Sequence, residues 1–436
     1  MEWYLLALII FLGLFLLIFS GMPVGFSLAI AGFAGYLYLA GWKASLAMLG
    51  SVFYSSACTP VFAALPVFIF MAEIILFTGI GTDLYEASHS LFGNLRAGLA
   101  MSSIAACAGF SAVCGTSTGT TTTIGLISIP EMQSRGYSDR LTAGVLAASG
   151  GLGILIPPSL PLILYGIITE TSIGKLFMAG IIPGIILAGL YMAYVGLIAA
   201  KGNASAAQEG VPRRKRILAL GKTWPVLILA VVMLGGIYGG IFTPTEAGGI
   251  GAFSTLCLAA IHRQLNWRNL KTAMLRAGQN TAMLCIVIIG ALMFGYMLTA
   301  AQIPQRLAAF LVSLVMPGWA VIIGVNVLLL LLGCILEVGS LMLIVLPIIF
   351  PLVQALGYDP VWFGVMFCVN MEMALITPPV GMNLYVIKGI SNISFGDIVR
   401  GAFPFMLLQV VTLFIIIVCP QVTVFLPSRM YSGFGG

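Results

Sequence analysis

Long apolar runs follow one another through most of the 436 residues, with only short polar turns between them. Many approach or exceed the ~20 residues that a helix needs to cross a bilayer. Backbone groups in hydrocarbon must be satisfied within their own segment, so these runs read as helices. The one long polar stretch is Lys201–Lys222, which holds Gly202-Asn203-Ala204-Ser205 and Pro212-Arg213-Arg214-Lys215-Arg216. It separates a first half, 1–200, from a second, 223–436, as a linker over 201–222. Each half predicts the same series: two full helices, a surface helix, another full helix and a connecting arm. A short apolar pair around a polar tip, a broken helix and a last full helix complete it. The expected fold is an all-α polytopic membrane protein.

The short pairs are too brief for comfortable crossings and read as re-entrant hairpins. The first is Leu99–Val113 with Thr120–Met132, its tip at 114–119. The second is Val321–Ile335 with Leu341–Leu352, its tip at 336–340. The broken helices carry one proline pair each, Pro157-Pro158 in the break at 154–159 and Pro378-Pro379 in the break at 375–383. The breaks are one constant offset apart, 378 − 157 = 221, and the same shift superposes Trp3 on Trp224, Pro23 on Pro244 and Gly136-Tyr137 on Gly357-Tyr358. A proline pair removes two backbone donors and cannot continue a helix. In a bilayer such a break persists only where protein buries it or where it lines a polar cavity. Two of them in corresponding positions point to a transporter's binding site.

Composition and charge extend this picture. Hydrophobic residues make up 60% of the chain and charged residues 7%, against roughly 25% charged in a soluble domain. The net charge of +6 does not signal nucleic acid, because ten of the 19 Lys and Arg fall within Lys201–Lys222 and Arg263–Arg276. Such clusters mark cytoplasmic loops. The linker is therefore expected in the cytoplasm and the Thr243-Pro244-Thr245-Glu246 turn in the periplasm. Asn266–Ala277 reads as a surface helix with its cations toward lipid headgroups. Its counterpart, Trp42–Ala57, carries only Lys43 and belongs on the opposite face. Arg135 and Arg140 place the open end of the first hairpin in the cytoplasm, and symmetry places that of the second in the periplasm. The halves thus read as inverted repeats, with both termini periplasmic. Trp3–Ser20 has no cation before it and no small-residue cleavage site after it, so it reads as a retained helix. Eight scattered cysteines without a CxxC pair read as core- or lipid-facing thiols.

The chemistry gathers at the four interruptions. Seven hydroxyls lie between Thr116 and Thr123 at the first tip, and Glu337 and Ser340 mark the second. The breaks offer free carbonyls before each proline pair, then Ser159 and Asn383. Carbonyl and hydroxyl oxygens suit Na⁺, and the amide ends of half-helices suit anions. No Lys or Arg occurs between Arg96 and Arg135, between Arg140 and Lys175, or between Arg306 and Lys388. An anionic substrate there would be neutralised by helix N-termini and co-bound cations, since an isolated buried ion costs several kcal/mol or more. Obligatory coupling would follow. The blander readings are that the hydroxyls bond their own i−4 carbonyls and that the prolines merely kink helices. Glu73 and Glu372 are intramembrane carboxylates and so functional candidates. Glu246 reads as a turn or cap, the glycine pairs of 235–240 as close helix packing, and His89 and His262 as boundary residues.

These motifs resemble the large membrane subunit of tripartite ATP-independent periplasmic (TRAP) transporters. The resemblance is carried by Gly151-Leu152-Gly153-Ile154-Leu155-Ile156-Pro157-Pro158-Ser159, by Phe242-Thr243-Pro244-Thr245-Glu246-Ala247, and by Asn370-Met371-Glu372 running to Pro378-Pro379-Val380-Gly381-Met382-Asn383. It implies an elevator-type, Na⁺-driven importer of small organic acids, in which hairpins and broken helices move against a scaffold. It also implies two partners, a periplasmic substrate-binding protein and a small four-helix membrane subunit, the latter expected as a separate polypeptide in the inner membrane. One Na⁺ site would fall at Gly115, Thr116 and Ser117 with the loop from Gly153 to Pro157. The other would fall at Glu337, Gly339 and Ser340 with Thr377, Gly381 and Asn383. Substrate would lie between them, against Thr116, Ser117, Ser159, Ser340 and Asn383. The family commonly carries Ser-Gly-Ser-Ser followed by Ala-Thr at the first tip. Here Cys114-Gly115-Thr116-Ser117-Thr118-Gly119-Thr120 keeps the oxygens, and substrate preference does not transfer. The rival readings are a stand-alone Na⁺/dicarboxylate symporter or antiporter without a binding protein, and an intramembrane enzyme, for which the two boundary histidines supply no catalytic dyad.

Overall fold

A computed structural model of the chain describes residues 3–200, 213–313, 317–334 and 336–431. Linker residues 201–212 and Ile335, the last residue of the arm before the second tip, lie outside the described residues. All regular elements among them are helices. The first half contains α1 (Trp3–Phe19), α2 (Val24–Cys58), a 3₁₀ turn (Pro60–Ala63), α3 (Ala64–Ile75), α4 (Ile80–Phe92), α5 (Gly98–Cys114), α6 (Ser117–Ser134), α7 (Asp139–Leu155), α8 (Leu160–Thr169) and α9 (Ile173–Ala200). The linker contributes α10 (Arg213–Gly221). The second half contains α11 (Trp224–Tyr238), α12 (Pro244–Ile261), α13 (Trp267–Ala300), α14 (Ile303–Ser313), α15 (Gly318–Gly333), α16 (Val338–Ala355), α17 (Pro360–Ala374), α18 (Met382–Ile390), α19 (Phe395–Val418) and α20 (Gln421–Tyr431). Among the described residues seven helical segments are long and apolar enough to span a bilayer, or eight if α3 and α4, bent by 66°, form one broken span.

The second arm of each hairpin begins inside its expected tip: α6 and α16 start at Ser117 and Val338, three residues before Thr120 and Leu341, and α7 and α17 start at Asp139 and Pro360. Local capping sets these starts. Ser138 Oγ accepts from Leu141 N ahead of α7, and Asp359 Oδ1 accepts from Val361 N and Trp362 N ahead of α17. Such caps satisfy amides that a helix leaves without partners.

One surface helix matches expectation and the other does not. Trp42–Cys58 is set off from the first part of α2 by a kink at Gly41, where a φ of +81° is non-helical. In the second half the basic segment is the opening of α13, which runs unbroken to Ala300. The reason lies at Thr59-Pro60, which stops a helix. The equivalent stretch, Gly278 to Thr281, holds only one isolated glycine, which a helix tolerates at ~1 kcal/mol. The glycine pairs of 235–240 also differ: the missing side chain of Gly236 makes room for the Phe242 ring of the same segment, rather than for another helix.

Two helices form the centre. Every residue from Leu141 to Leu155 in α7 is buried, as is every residue from Val361 to Ala374 in α17. A helix apolar on all sides belongs in a core, and each of these leads straight into a break. Around them lie α5, α6, α9 and α19. α7 and α19 touch through backbone: a Cβ on Gly401 would strike the Arg140 carbonyl, and one on Gly144 the Gly401 carbonyl. Arg140 Nε donates to Asp397 Oδ1 at 2.7 Å across the same ends. Elsewhere α2 crosses α13 with a Cβ on Gly32 only 2.7 Å from Phe294 N. The charged ends cluster: Lys222 pairs with Glu86 at 2.8 Å, Arg135 with Glu131 at 2.5 Å, and His89 lies near both Glu131 and Arg135.

Gly401→Val should lower the melting temperature of the purified protein distinctly, because overpacking costs about 1–3 kcal/mol. Arg140→Ala should change it little, since a pair this exposed contributes about 0–1 kcal/mol. Equal losses in a thermal melt would refute the backbone contact as the dominant tie.

Candidate functional site

Both proline pairs interrupt their helices, with Ile156 to Ser159 and Leu375 to Gly381 lying between half-helices. Both Pro–Pro bonds are cis. At the first interruption, Ser159 caps α8 by accepting from Leu162 N at 3.5 Å and also donates to the Ile154 carbonyl. At the second, Gly381 takes φ +58°, a conformation costly for other residues, and Asn383 N donates to Leu375 O at 3.1 Å.

The first hairpin tip docks onto the first break. Gly115, at φ +67°, lies so close that a Cβ would sit 2.6 Å from Pro158 O. Leu160 N donates to Gly115 O at 3.1 Å. Gly153 faces Thr116 O, with 2.6 Å to a notional Cβ. Gly115, Thr116, Ser117 and Gly153 are therefore gathered into one cradle, and the residue of the first break against it is Pro158 rather than Pro157. The cradle's carbonyls keep a second lone pair beyond each bond they accept.

The second tip is built differently. Glu337 is exposed and caps α16, its Oε2 accepting from Ser340 N at 3.1 Å and Ser340 Oγ at 3.4 Å. Gly339 lies beside the same carboxylate. The tie to the second break is Val380 N donating to Cys334 O at 3.1 Å. Among the described residues no hydrogen bond joins Glu337, Gly339 or Ser340 to Thr377, Gly381 or Asn383. Thr377 Oγ1 instead donates to Met373 O at 2.7 Å. The two breaks also differ in access: Pro157, Pro158 and Ser159 are buried, whereas Pro378, Pro379 and Val380 are exposed.

Asn383 bridges the halves. Ser117 Oγ donates to Asn383 Oδ1 at 2.9 Å, and Asn383 Nδ2 donates to Ala147 O at 2.9 Å. Both side chains are buried, Asn383 fully. A residue expected at the second cation site is thus bonded to one expected at the first. The N-termini of α6 and α18 meet here, bringing partial positive charge from both halves into one region. Other hydroxyls have the blander role: Thr120 and Thr122 bond the i−4 carbonyls of Thr116 and Thr118.

The carboxylates are distributed. Glu246 completes a capping box with Thr243. Glu73 Oε1 accepts from Asn280 Nδ2 at 3.2 Å across the α3–α13 contact. Glu372 is fully buried in α17. A crevice of about 870 Å³ lies away from the hairpin tips. It runs between the end of α2 at Ser55–Thr59, the α8–α9 link at Glu170–Ser172, the Thr243–Glu246 turn and Tyr296 of α13. Sequence reasoning did not anticipate it, because it is made by segments distant in the chain.

An all-helical membrane protein with two docked hairpins and two proline-broken core helices belongs to the class of secondary transporters with discontinuous helices. Residues 11–422 match the family described as tripartite ATP-independent periplasmic transporter, DctM component, and the chain belongs to that family. It is 37% identical over 366 residues to the C4-dicarboxylate TRAP transporter large permease protein DctM of Pseudomonas aeruginosa, covering 84% of this chain and 86% of that one. It is 32% identical to the sialic acid TRAP transporter large permease protein SiaM of Vibrio cholerae, covering 96% and 97%. A solved likeness is the Alcanivorax borkumensis YdaH transporter, with TM-score 0.63, 16% identity and 90% of both chains covered; this is a likeness of fold alone.

The Ser117–Asn383 bond supplies a test. Asn383→Ala should destabilise more than Ser117→Ala, because it also removes the second buried bond, from the Asn383 amide to the Ala147 carbonyl. The double variant should fall short of the sum by about 0.5–3 kcal/mol in denaturation, and strict additivity would mean the bond contributes nothing.

Proposed function

We propose that this chain is the transport subunit of a Na⁺-coupled, binding-protein-dependent importer of small organic acids in the inner membrane. The carrying observation is the buried Ser117–Asn383 bond, which sets the first hairpin tip against the second break. Carbonyl-rich cradles on either side of that bond would each hold a Na⁺ as cargo. The first comprises Gly115, Thr116, Ser117 and Gly153 with Pro158 of the first break, and the second Glu337, Gly339, Ser340, Thr377, Gly381 and Asn383. Substrate carboxylate would sit between, near Thr116, Ser117, Ser159, Ser340 and Asn383, facing helix N-termini. The second cradle would need Glu337 and Ser340 to leave their capping bonds or to share them with the ion.

The halves would be inverted repeats, with α5–α8 and α15–α18 moving together as an elevator against a scaffold that includes the crossed α2 and α13. The charge clusters support a cytoplasmic side containing Lys222, Arg135 and Arg140, and periplasmic termini. The α8–α9 link and the Thr243–Glu246 turn, both assigned to the periplasm, line one crevice. That crevice is a fitting entry on the face where a substrate-binding protein would dock. A small membrane subunit would complete the complex. In the isethionate TRAP transporter permease protein DctMQ of Oleidesulfovibrio alaskensis, this chain aligns with 65% of the length. The relatives' names span C4-dicarboxylate, sialic acid and 2,3-diketo-L-gulonate, so the substrate class proposed is the organic acid.

Two Na⁺ with one monoanion would carry net charge inward, each unit yielding about 2.3 kcal/mol per 100 mV. In liposomes containing the chain, its small subunit and loaded binding protein, uptake should require an inward Na⁺ gradient. Ser117→Ala and Asn383→Ala should each raise the Na⁺ concentration for half-maximal uptake. Uptake that is indifferent to Na⁺ would defeat the reading.

A further inference from the structure

Glu372 is the buried carboxylate that the cradles do not use. It lies in α17, six residues before Pro378, with neither carboxyl oxygen hydrogen-bonded. Gln409 of α19 and Tyr191 of α9, both fully buried, approach the carboxyl closely enough to interact with it. Yet the Gln409 amide and the Tyr191 hydroxyl also lie outside hydrogen-bonding geometry with any partner. Three buried polar side chains thus meet with none of their bonds resolved.

The position is unusual in the repeat. Its counterpart is Gly151, since 372 − 221 = 151, and the two equivalent positions touch. A Cβ on Gly151 would lie 2.6 Å from Glu372 Cγ and 2.9 Å from Oε1. The carboxyl therefore fills the space left by the missing side chain at its own counterpart, where α7 meets α17. Gly153 of the first cradle is two residues further along α7, and Thr377 of the second is five residues further on, in the break after α17.

The ionisable groups that reach Glu372 are Tyr191 and, one turn back on α17, Cys368. Of the other helices packed on α17, α8 carries Tyr165, α9 also carries Lys175 and Tyr194, and α20 carries Arg429. α7 carries Asp139 and Arg140, and α19 carries Asp397 and Arg400, all roughly 13 Å or more from Gly151 and Gln409 by helical rise. α15 and α16 carry none. Among the described residues no ion pair reaches Glu372.

We propose that Glu372 is a proton site linked to the cradles: it holds a proton when they are empty and releases it to solvent as cations fill them. This rests on the reading of the cradles as cation sites. A buried carboxylate with no cation neutralises by protonation, and a carboxylic acid can pair with the Gln409 amide at both its oxygens. Na⁺ in a cradle places positive charge within roughly 10 Å. At an effective dielectric constant near 20, each such charge favours the carboxylate about tenfold. By reciprocity, protonation weakens each Na⁺ by the same factor. The O–H bond breaks heterolytically, the electron pair stays on the carboxylate, and one positive charge leaves as two arrive.

The test uses the purified complex of this chain with its small subunit. Adding NaCl, with choline chloride as control, to weakly buffered wild type containing a pH indicator should release protons, and Glu372→Gln should release none. The half-saturating Na⁺ concentration should rise as pH falls in wild type, by up to about tenfold, and stay level in the variant. Na⁺ binding by wild type without proton release would overturn the inference while leaving the cradles intact. Wild type that binds no Na⁺ at all would remove the cradles, and this inference with them.

Discussion

A helix that stops in hydrocarbon leaves its terminal amides and carbonyls without partners, and the bilayer supplies none. This protein stops helices there four times, at two hairpin tips and two proline pairs. What makes the interruptions tolerable is that they face one another. Leu160 N finds Gly115 O, Val380 N finds Cys334 O, and Asn383 finds both Ser117 and Ala147. The buried helices α7 and α17 exist to carry two of these interruptions to the centre, and α5, α6, α9 and α19 exist to enclose them. The oxygens left with spare lone pairs are the raw material of an ion site.

The interruptions were legible in the sequence because proline and glycine act locally. Pro157-Pro158 and Pro378-Pro379 forbid a continuing helix wherever they sit, and the constant offset identifies them as partners. The starts of α6, α7, α16 and α17 follow the same logic. What sequence does not reveal is which distant residues meet. Nothing near Ser117 announces Asn383, 266 positions away. The unbroken α13 was likewise hidden, because a single glycine such as Gly278 permits either a bend or a continued helix, and packing decides. The Glu372 cluster needed three helices, α9, α17 and α19, to be brought together before Tyr191 and Gln409 acquired meaning.

Symmetry of sequence does not become symmetry of environment. The first break is sealed and its hairpin tip is drawn tightly against it, whereas the second break is open and Glu337 is spent on capping its own helix. Thr116 and Glu337 occupy equivalent positions and begin equivalent helices. One offers a neutral carbonyl and hydroxyl, the other a carboxylate. Two ion sites made this way would differ in field strength and in exposure, and so in the order in which they fill.

The same inequality is mechanical. α13 is 34 residues long, about 51 Å at 1.5 Å per residue, well beyond a hydrocarbon layer of ~30 Å. It is a single uninterrupted helix. The elements at the same offset in the first half are jointed, at Gly41 and again at Thr59-Pro60. One half of the chain therefore resists bending at positions where the other half permits it.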